Sequence, residues 1–179
     1  MNETATAPED DVPRRRAPRI RYREALARDA GDQAEVFHHA VMQGAAGHYS
    51  RPQREAWVSA LPRDPSAWVA RHALYTTLVA ECDGRCVGFL ELELHSGRIV
   101  TLYTWPSLAR RGIGSALLMH AERLLIERGV GRASIEASLM LVPGLVRRGW
   151  RDLGEEAVER DGEQLLRQRL EKTLVALET

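Results

Sequence analysis

The residues with the clearest chemical potential form one short run, Arg110-Arg111-Gly112-Ile113-Gly114-Ser115. Glycine lets the backbone approach a ligand closely, and the apolar periodicity that follows predicts a helix beginning near Gly112. The free N–H groups of a helix's first turn attract anions, as does the helix dipole, which is equivalent to about half a positive charge. The run therefore predicts a site for a phosphorylated ligand, with the guanidinium groups of Arg110 and Arg111 as additional partners.

Two other groups of side chains are weaker candidates. Cys82 and Cys86 flank a turn, which would suit a redox pair or half of a metal site. No second ligand pair has zinc-type spacing, so we expect two reduced cysteines. His38 and His39 are adjacent, and adjacent residues of a helix point about 100° apart, so they are not expected to share a metal ion. The sequence therefore predicts no metal centre.

Three antiparallel strands in series are predicted to lead the chain into the glycine-containing run. Residues that favour strands span Leu74 to Cys82, Asp83-Gly84 is a two-residue turn signal, and Cys86 to Leu94 alternates as a strand. A turn at Ser96-Gly97 then leads into a third strand, Ile99 to Thr104. The run thus stands where a strand ends and a helix begins.

Strands and helices are also predicted on both sides of this meander. Asp29 is positioned to cap the first helix, and Ser50 and Gln53 form a capping box for the second. In chain order, the remaining predicted elements are a strand at 20–26, a helix from Asp29 to Gly44 or Gly47, a helix after Ser50, a short helix after Asp64, the helix from Gly112 to Arg128, a strand at 133–137, a helix within 139–148, and a hairpin of residues 150–160 and 163–172 around Asp161-Gly162.

The composition fits one domain and gives no sign of nucleic-acid binding, of membrane insertion or of secretion. Its 179 residues suffice for one fold unit, and Met1 to Arg19 is predicted to be a disordered tail because it has almost no large apolar side chains. Lys plus Arg and Asp plus Glu number 25 each, so no net charge favours nucleic acid or a membrane surface. We expect the tail arginines, Arg14 to Arg16, to be solvated. No apolar stretch approaches the roughly 20 residues of a spanning helix, and no secretory leader is recognisable, so a cytoplasmic protein is expected.

The strand end and the run match a known pattern. Leu102 to Pro106 and Ala109 to Gly114 resemble the Leu-x-Val-x-Pro and Gln/Arg-x-x-Gly-x-Gly/Ala segments of the GCN5-related N-acetyltransferase (GNAT) superfamily. The later Arg-Arg-Gly149-Trp150 and the final hairpin fit the same order, so the resemblance covers about Ile20 to Lys172. It implies an α+β fold with a mixed, mostly antiparallel sheet flanked by helices. The run lacks the Lys-Ser/Thr of a P-loop and the opening βαβ unit of a dinucleotide fold.

The resemblance implies that acetyl-CoA is the acyl donor. The backbone of Leu102, Tyr103 and Thr104 would then pair with the pantetheine arm like an added strand, and one N–H group there would hold the thioester carbonyl. The residues that would wrap the pyrophosphate are Arg110, Arg111, Gly112, Ile113, Gly114 and Ser115. Charge-assisted hydrogen bonds of about 1.5 to 3 kcal/mol each would account for much of a micromolar affinity.

Two loop positions and the helix after the fifth family strand depart from the family pattern. Ala109 stands where Gln or Arg is usual and Thr104 where Val is common, and both changes are expected to be mild because the loop binds mainly through its backbone. Leu145 replaces the tyrosine that in many relatives protonates the departing CoA thiolate. Water, or no acid at all, would then complete the reaction.

An amine nucleophile must lose a proton, because a lysine-like amine with a pKa of about 10.4 is protonated at neutral pH. Glu91 and Glu93 lie on the strand face opposite the leucines. We predict Glu93 as the catalytic base and expect Glu91 to belong to a solvated strand face, while His95 is a third candidate. Tyr103 is either a hydroxyl near the acyl group or a packing residue. The expected reaction is direct acetyl transfer in a ternary complex, without a covalent enzyme intermediate.

A catalytically silent acyl-CoA-binding or protein-interaction module of the same fold is the alternative, because Gly144 and Leu145 replace the usual aromatic pair. The acceptor is left open between a small-molecule amine, a peptide N-terminus and a lysine side chain, and Tyr49 to Trp68 is the expected lining of its pocket. Trp57 and Trp68 are favoured as core anchors over pocket walls. Nucleic acid and membranes are not expected partners, and a homodimer is left open because dimers are common among the relatives.

Overall fold

The predicted strands pair into one seven-stranded sheet in the computed structural model, which describes residues 19–175. The strand order is β1-β2-β3-β4-β5-β7-β6, and every neighbouring pair is antiparallel except β4 with β5. The strands are β1 (Ile20–Glu24), β2 (Thr76–Cys82), β3 (Arg85–Glu93), β4 (Arg98–Thr104), β5 (Arg132–Ser138), β6 (Arg151–Arg160) and β7 (Glu163–Thr173). This mixed, mostly antiparallel sheet confirms the expected fold class. The tail that was predicted to be disordered, with Arg14 to Arg16, lies outside the described residues apart from Arg19.

Five α-helices flank the sheet. They are α1 (Ala30–His39), α2 (Arg51–Val58), α3 (Pro65–Leu74), α4 (Ile113–Glu127) and α5 (Val142–Arg147). The Ser50–Gln53 capping box forms as predicted, and Asp64 caps α3 by accepting the N–H of Ser66. The last helix is shorter than expected and begins just before Pro143, which is tolerated in a first helical turn. No helix among residues 19–175 is long and apolar enough to cross a membrane.

Asp29 does not cap the first helix, so that expectation is wrong. Its carboxylate instead accepts hydrogen bonds from both terminal nitrogens of Arg23, at 2.7 and 2.9 Å, and from the N–H of Leu26. Asp29 is almost fully buried, and a carboxylate in that position is stable only with such partners. The side chain therefore joins β1 to the turn before α1.

Apolar side chains cover both faces of the sheet. Helix α4 packs on one face against leucines that include Leu90 and Leu102, while α1 and α3 cover the other face through Phe37 and Trp68. Gly88 allows the first contact to be close, because a Cβ there would lie 3.1 Å from Ile113 Cγ2 and 3.3 Å from a β4 carbonyl. The start of α4 is thereby held against β3 and beside the end of β4.

Candidate functional site

Strands β4 and β5 are hydrogen-bonded neighbours at one end only. Their parallel register covers Arg98 with Ser134 and Ile99 with Ile135, whereas β4 remains paired with β3 as far as Thr104. Residues 101–104 therefore pair with β3 on one side, Val100 is the extra residue at a register shift, and none of these five residues has a ladder partner in β5. This open edge includes the Leu102, Tyr103 and Thr104 backbone, where an extended ligand can add as a strand.

The glycine-containing run follows this open edge directly. A short 3₁₀ turn at Pro106–Leu108 leads to Arg110 and Gly112, whose φ angles of +63° and +82° are both left-handed, and α4 begins at Ile113. Within residues 19–175, no hydrogen bond uses the N–H groups of residues 110–115, and the first helical N–H to be bonded is that of Ala116, to Gly112. Unpaired N–H groups at the start of a 15-residue helix form an anion site.

An additional arginine lies beside this loop and was not predicted as a site residue. Arg148, just after α5, donates from Nε to the hydroxyl of Ser115 at 3.0 Å. Its guanidinium group thus stands next to the first turn of α4, together with the exposed side chains of Arg110 and Arg111. The Arg-Arg-Gly149 motif could have drawn attention to Arg148, but only the fold shows that this side chain lies beside the loop, 33 residues away along the chain. Three cations close to the free N–H groups strengthen the attraction for phosphate.

A cavity of about 310 Å³ lies on the α1 side of β4, next to the open edge. An aromatic wall, which we define as Phe37, Tyr49, Trp57 and Tyr103, forms one part of it. Trp57 Nε1 donates to the Tyr103 hydroxyl at 3.2 Å, and the Tyr49 hydroxyl donates to the Leu166 carbonyl at 2.6 Å. These bonds fix the rings in place, so the cavity is pre-formed.

The segment that was predicted to line an acceptor pocket contributes unequally. Tyr49, Trp57 and Leu61 line the cavity, whereas Trp68 is fully buried between Phe37 and Phe89. Trp68 is therefore a core anchor, as expected, whereas Trp57 is partly buried against the core and also lines the cavity. Burial raises the pKa of Tyr103, so its phenol stays protonated at neutral pH and can donate a hydrogen bond.

The polar part of the cavity contains Glu136 and Arg98. Arg98 Nε contacts Glu136 Oε2 at 3.1 Å, and its Nη1 contacts Glu93 Oε1 at 3.3 Å. Glu93 itself lies at the β3–β4 turn, where it accepts from Ser96 and lines a separate open cleft with His95. Glu136 thus lines the cavity, whereas Glu93 does not and is connected to it only through the guanidinium group of Arg98. Alternation along β5 was the signal that could have identified Glu136, because Ser134, Glu136 and Ser138 share one face.

Glu91 is not part of a solvated strand face, so that expectation is wrong. Its side chain is fully buried under α3 and accepts bonds from Arg71 Nε and Nη2, both at 2.7 Å, and from the Thr101 hydroxyl at 2.8 Å. Sequence alternation correctly placed Glu91 opposite the leucines, but it does not show that a helix covers that face. With its oxygens already occupied, Glu91 is poorly placed to take a proton from a substrate.

The cysteines and histidines form no ligand cluster in the described part of the chain. Cys82 and Cys86 are both free thiols, as expected, and burial raises the pKa of Cys86 to about 12. His38 and His39 stand edge to face with 5.5 Å between ring centroids.

Residues 27–172 match the family model described as acetyltransferase (GNAT) domain. The chain belongs to the GNAT family. A GCN5-related N-acetyltransferase structure from Rhodopseudomonas palustris is 31% identical, with a TM-score of 0.79 over 88% of this chain and 96% of that one. No curated protein sequence matches the chain.

More distant solved structures share the GNAT fold. The PaiA N-acetyltransferase of Thermoplasma acidophilum, in complex with coenzyme A, is 21% identical with a TM-score of 0.65 over 87% of this chain and 99% of that one. A phosphinothricin acetyltransferase of Sinorhizobium meliloti, in complex with acetyl-CoA, is 18% identical with a TM-score of 0.66 over 87% and 88% of the two chains.

This GNAT protein has an apolar side chain at the position where many relatives have a tyrosine. Leu145 lies in α5 and is almost fully buried in the core beneath α4. A leucine has no proton to donate, so any acid for the leaving thiolate must come from another element. Tyr103, on the open edge of β4, carries a hydroxyl proton that Leu145 lacks.

Proposed function

We propose that the protein transfers an acetyl group from acetyl-CoA to an amine held in the aromatic cavity. The observation that carries this proposal is the continuity of three features: the unpaired N–H groups of residues 110–115, the open β4 edge and the cavity beside that edge. A phosphorylated ligand with an extended arm would occupy the first two features, and its reactive end would reach the third.

Acetyl-CoA would be held mainly by the backbone. The pyrophosphate accepts hydrogen bonds from residues 110–115, with side-chain support from Arg110, Arg111 and Arg148. The pantetheine arm pairs with residues 102–104, and an N–H group of that strand polarises the thioester carbonyl. Because backbone groups supply most of these contacts, Ala109 and Thr104 are compatible with cofactor binding.

The amine must be deprotonated before it attacks. We assign Glu136 as the direct proton acceptor, because its carboxylate lines the cavity where Glu93 does not. Glu93, the residue predicted from the sequence, is retained as the alternative acceptor, connected to the cavity through Arg98. General base assistance is typically worth about 10² to 10⁴-fold in rate.

Transfer proceeds by one addition and one elimination. Once the carboxylate has taken one proton from the ammonium group, the neutral amine nitrogen forms a bond to the thioester carbon. The C–S bond then breaks to release CoA as a thiolate, and the nitrogen loses its second proton to water as the amide forms. The Tyr103 phenol, kept protonated by burial, or a water molecule donates to that sulfur. The products are an acetamide and CoA.

A thiol-release assay tests this proposal. Purified protein is mixed with acetyl-CoA and a panel of amines that includes small molecules and short peptides, and free CoA is measured together with the mass of the acetylated product. Amine-dependent CoA release is the expected result.

A catalytically silent acyl-CoA-binding module is the second candidate, and the buried Leu145 is the observation that favours it. This candidate predicts CoA binding by calorimetry without release on any acceptor. Loss of both binding and release would contradict both proposals.

A further inference from the structure

The charged residues that line the aromatic cavity are unequal in sign. Four arginines, Arg71, Arg98, Arg160 and Arg167, line it together with one carboxylate, that of Glu136. The carboxylates that orient Arg71 and Arg167 belong to Glu91 and Glu156, which are not lining residues. The residues that line the cavity therefore carry an excess of positive charge, which Glu91, Glu93 and Glu156 offset in part from outside the lining, although the chain as a whole is neutral.

Arg71 is held rigidly in this wall. Two of its nitrogens bind the fully buried Glu91, and its guanidinium carbon lies 5.6 Å from the Trp68 ring centroid and 5.1 Å from that of Tyr75. Its third nitrogen, Nη1, takes part in no hydrogen bond within residues 19–175. A pre-oriented guanidinium group with a donor to spare is suited to bind an oxyanion at little entropic cost.

The β6–β7 hairpin contributes cationic groups from the opposite wall. Arg167 uses Nε for Glu156 at 2.6 Å, which leaves its terminal nitrogens available. Arg160 has no carboxylate within 4.0 Å among the described residues. A polyamine would meet repulsion from these groups, whereas an acceptor with a negative group would be attracted.

We propose that the acceptor amine also carries an anionic group, most simply the carboxylate of an amino acid with an apolar side chain. This inference rests on the proposed acetyl transfer and names its substrate class. The carboxylate lies among the cavity arginines, the apolar side chain packs on the aromatic wall, and the amino group is directed to Glu136. The volume of about 310 Å³ fits a small acceptor of this kind.

Matched acceptor pairs test the charge requirement. L-phenylalanine is compared with phenethylamine and L-leucine with isopentylamine, since each pair differs only by the carboxylate, and spermidine serves as the polycation. Calorimetry on the protein with and without CoA measures binding, and CoA release measures turnover. We expect the amino acids to bind at least tenfold more tightly than their decarboxylated partners, and spermidine to bind most weakly.

Charge-removing variants identify the arginines involved. Arg160→Gln and Arg167→Gln are expected to reduce the preference for the carboxylate severalfold, while Arg123→Gln, an exposed arginine on α4, leaves it unchanged. Because Arg71→Gln alone would strand a buried carboxylate, it is made together with Glu91→Gln, and a urea unfolding curve verifies that the double variant is folded.

The outcomes separate this inference from the proposed function. Equal binding of both members of each pair, or no binding of any amino acid at millimolar concentration, overturns the anionic acceptor. Efficient acetylation of the decarboxylated amines would also overturn the anionic acceptor, but it would support the proposed acetyl transfer. Absent CoA binding with retained amino-acid preference would instead contradict the proposed function, and only the preference of the cavity for an anionic amine would stand.

Discussion

Replacing Gly112 by alanine tests the proposed phosphate-binding loop, residues 110–115, because the substitution changes the conformational freedom of the backbone and little else. Gly112 has a φ of +82°, and a Cβ built there meets no atom within 4 Å. An L-residue in the left-handed region costs roughly 1 to 2 kcal/mol. The whole effect of Gly112→Ala therefore arises from the backbone and not from a clash.

That cost divides between folding and ligand binding. If the loop keeps its conformation, the free energy of unfolding falls by about 1 to 2 kcal/mol and the affinity for CoA is preserved. If the loop relaxes, the free energy of unfolding changes less, but the N–H groups lose their arrangement. The affinity for CoA then falls about 5- to 30-fold. Urea unfolding and calorimetric titration with CoA, measured on the same variant, should show losses that add up to about 1 to 2 kcal/mol.

Gly114→Ala is the matched control. Gly114 lies in the first turn of α4, and its Cβ would make an ordinary contact, 3.8 Å, with Thr104 Oγ1. Alanine favours a helix over glycine by about 1 kcal/mol, so the variant should be as stable as the wild type or more stable. Unchanged stability and affinity in Gly112→Ala, or an equal loss of affinity in Gly114→Ala, would show that CoA binding does not depend on the left-handed backbone of Gly112.

Three further predictions concern the base, the buried ion pair and the thiols. Glu136→Gln should lower turnover about 10²-fold or more with CoA affinity intact, and Glu93→Gln should lower it less, as measured by CoA release. Arg23→Gln leaves a buried carboxylate unpaired and should cost about 3 kcal/mol of unfolding free energy in urea. In the native protein a thiol reagent at neutral pH should modify Cys82 and not Cys86, whose burial raises its pKa to about 12, and unfolding should expose both.

The ion-pair prediction has a control variant and a pH dependence of its own. Arg85→Gln removes an exposed partner of Asp32 and should change stability by less than about 1 kcal/mol. Burial alone would raise the pKa of Asp29, but the hydrogen bonds from Arg23 and the Leu26 N–H outweigh it and lower that pKa. The stabilisation is thus present above the ordinary Asp pKa of about 3.9 and is lost as the pH falls through the folded value, so the Arg23→Gln variant should show a weaker acid dependence.

Contrary results are equally specific. Full activity in Glu136→Gln with a large loss in Glu93→Gln would return the base assignment to Glu93. An Arg23→Gln variant as stable as the wild type would show that the pair with Asp29 contributes nothing. Rapid labelling of both thiols in the folded protein would contradict the burial of Cys86.

Local sequence signals predicted the elements well because their causes are local. The Asp83-Gly84 and Asp161-Gly162 turns adopt left-handed angles at both residues, as two-residue hairpins require. The left-handed glycine before α4 was equally predictable, since Gly112 and the amphipathic helix that follows it lie within a few residues of each other. The surroundings of Glu91 were not, because the helix that buries it is contributed by residues about 20 positions earlier.

The aromatic cavity depends on contacts between residues that are distant in sequence. Arg98 and Glu136 meet because β4 and β5 are neighbours, 38 residues apart along the chain. Tyr49 reaches the carbonyl of Leu166 across 117 residues. Periodicity assigns such side chains to a face but does not say which faces meet, so the cavity and its excess of arginines appear only once the sheet order is known.

A crystal structure of the protein with bound CoA tests the proposed acetyl-CoA site most directly. We expect the pyrophosphate oxygens to accept hydrogen bonds from the N–H groups of residues 110–115, the pantetheine arm to pair with residues 102–104, and the sulfur to lie beside the Tyr103 hydroxyl at the mouth of the cavity. CoA bound elsewhere, such as in the cleft lined by Glu93 and His95, would contradict the proposed site.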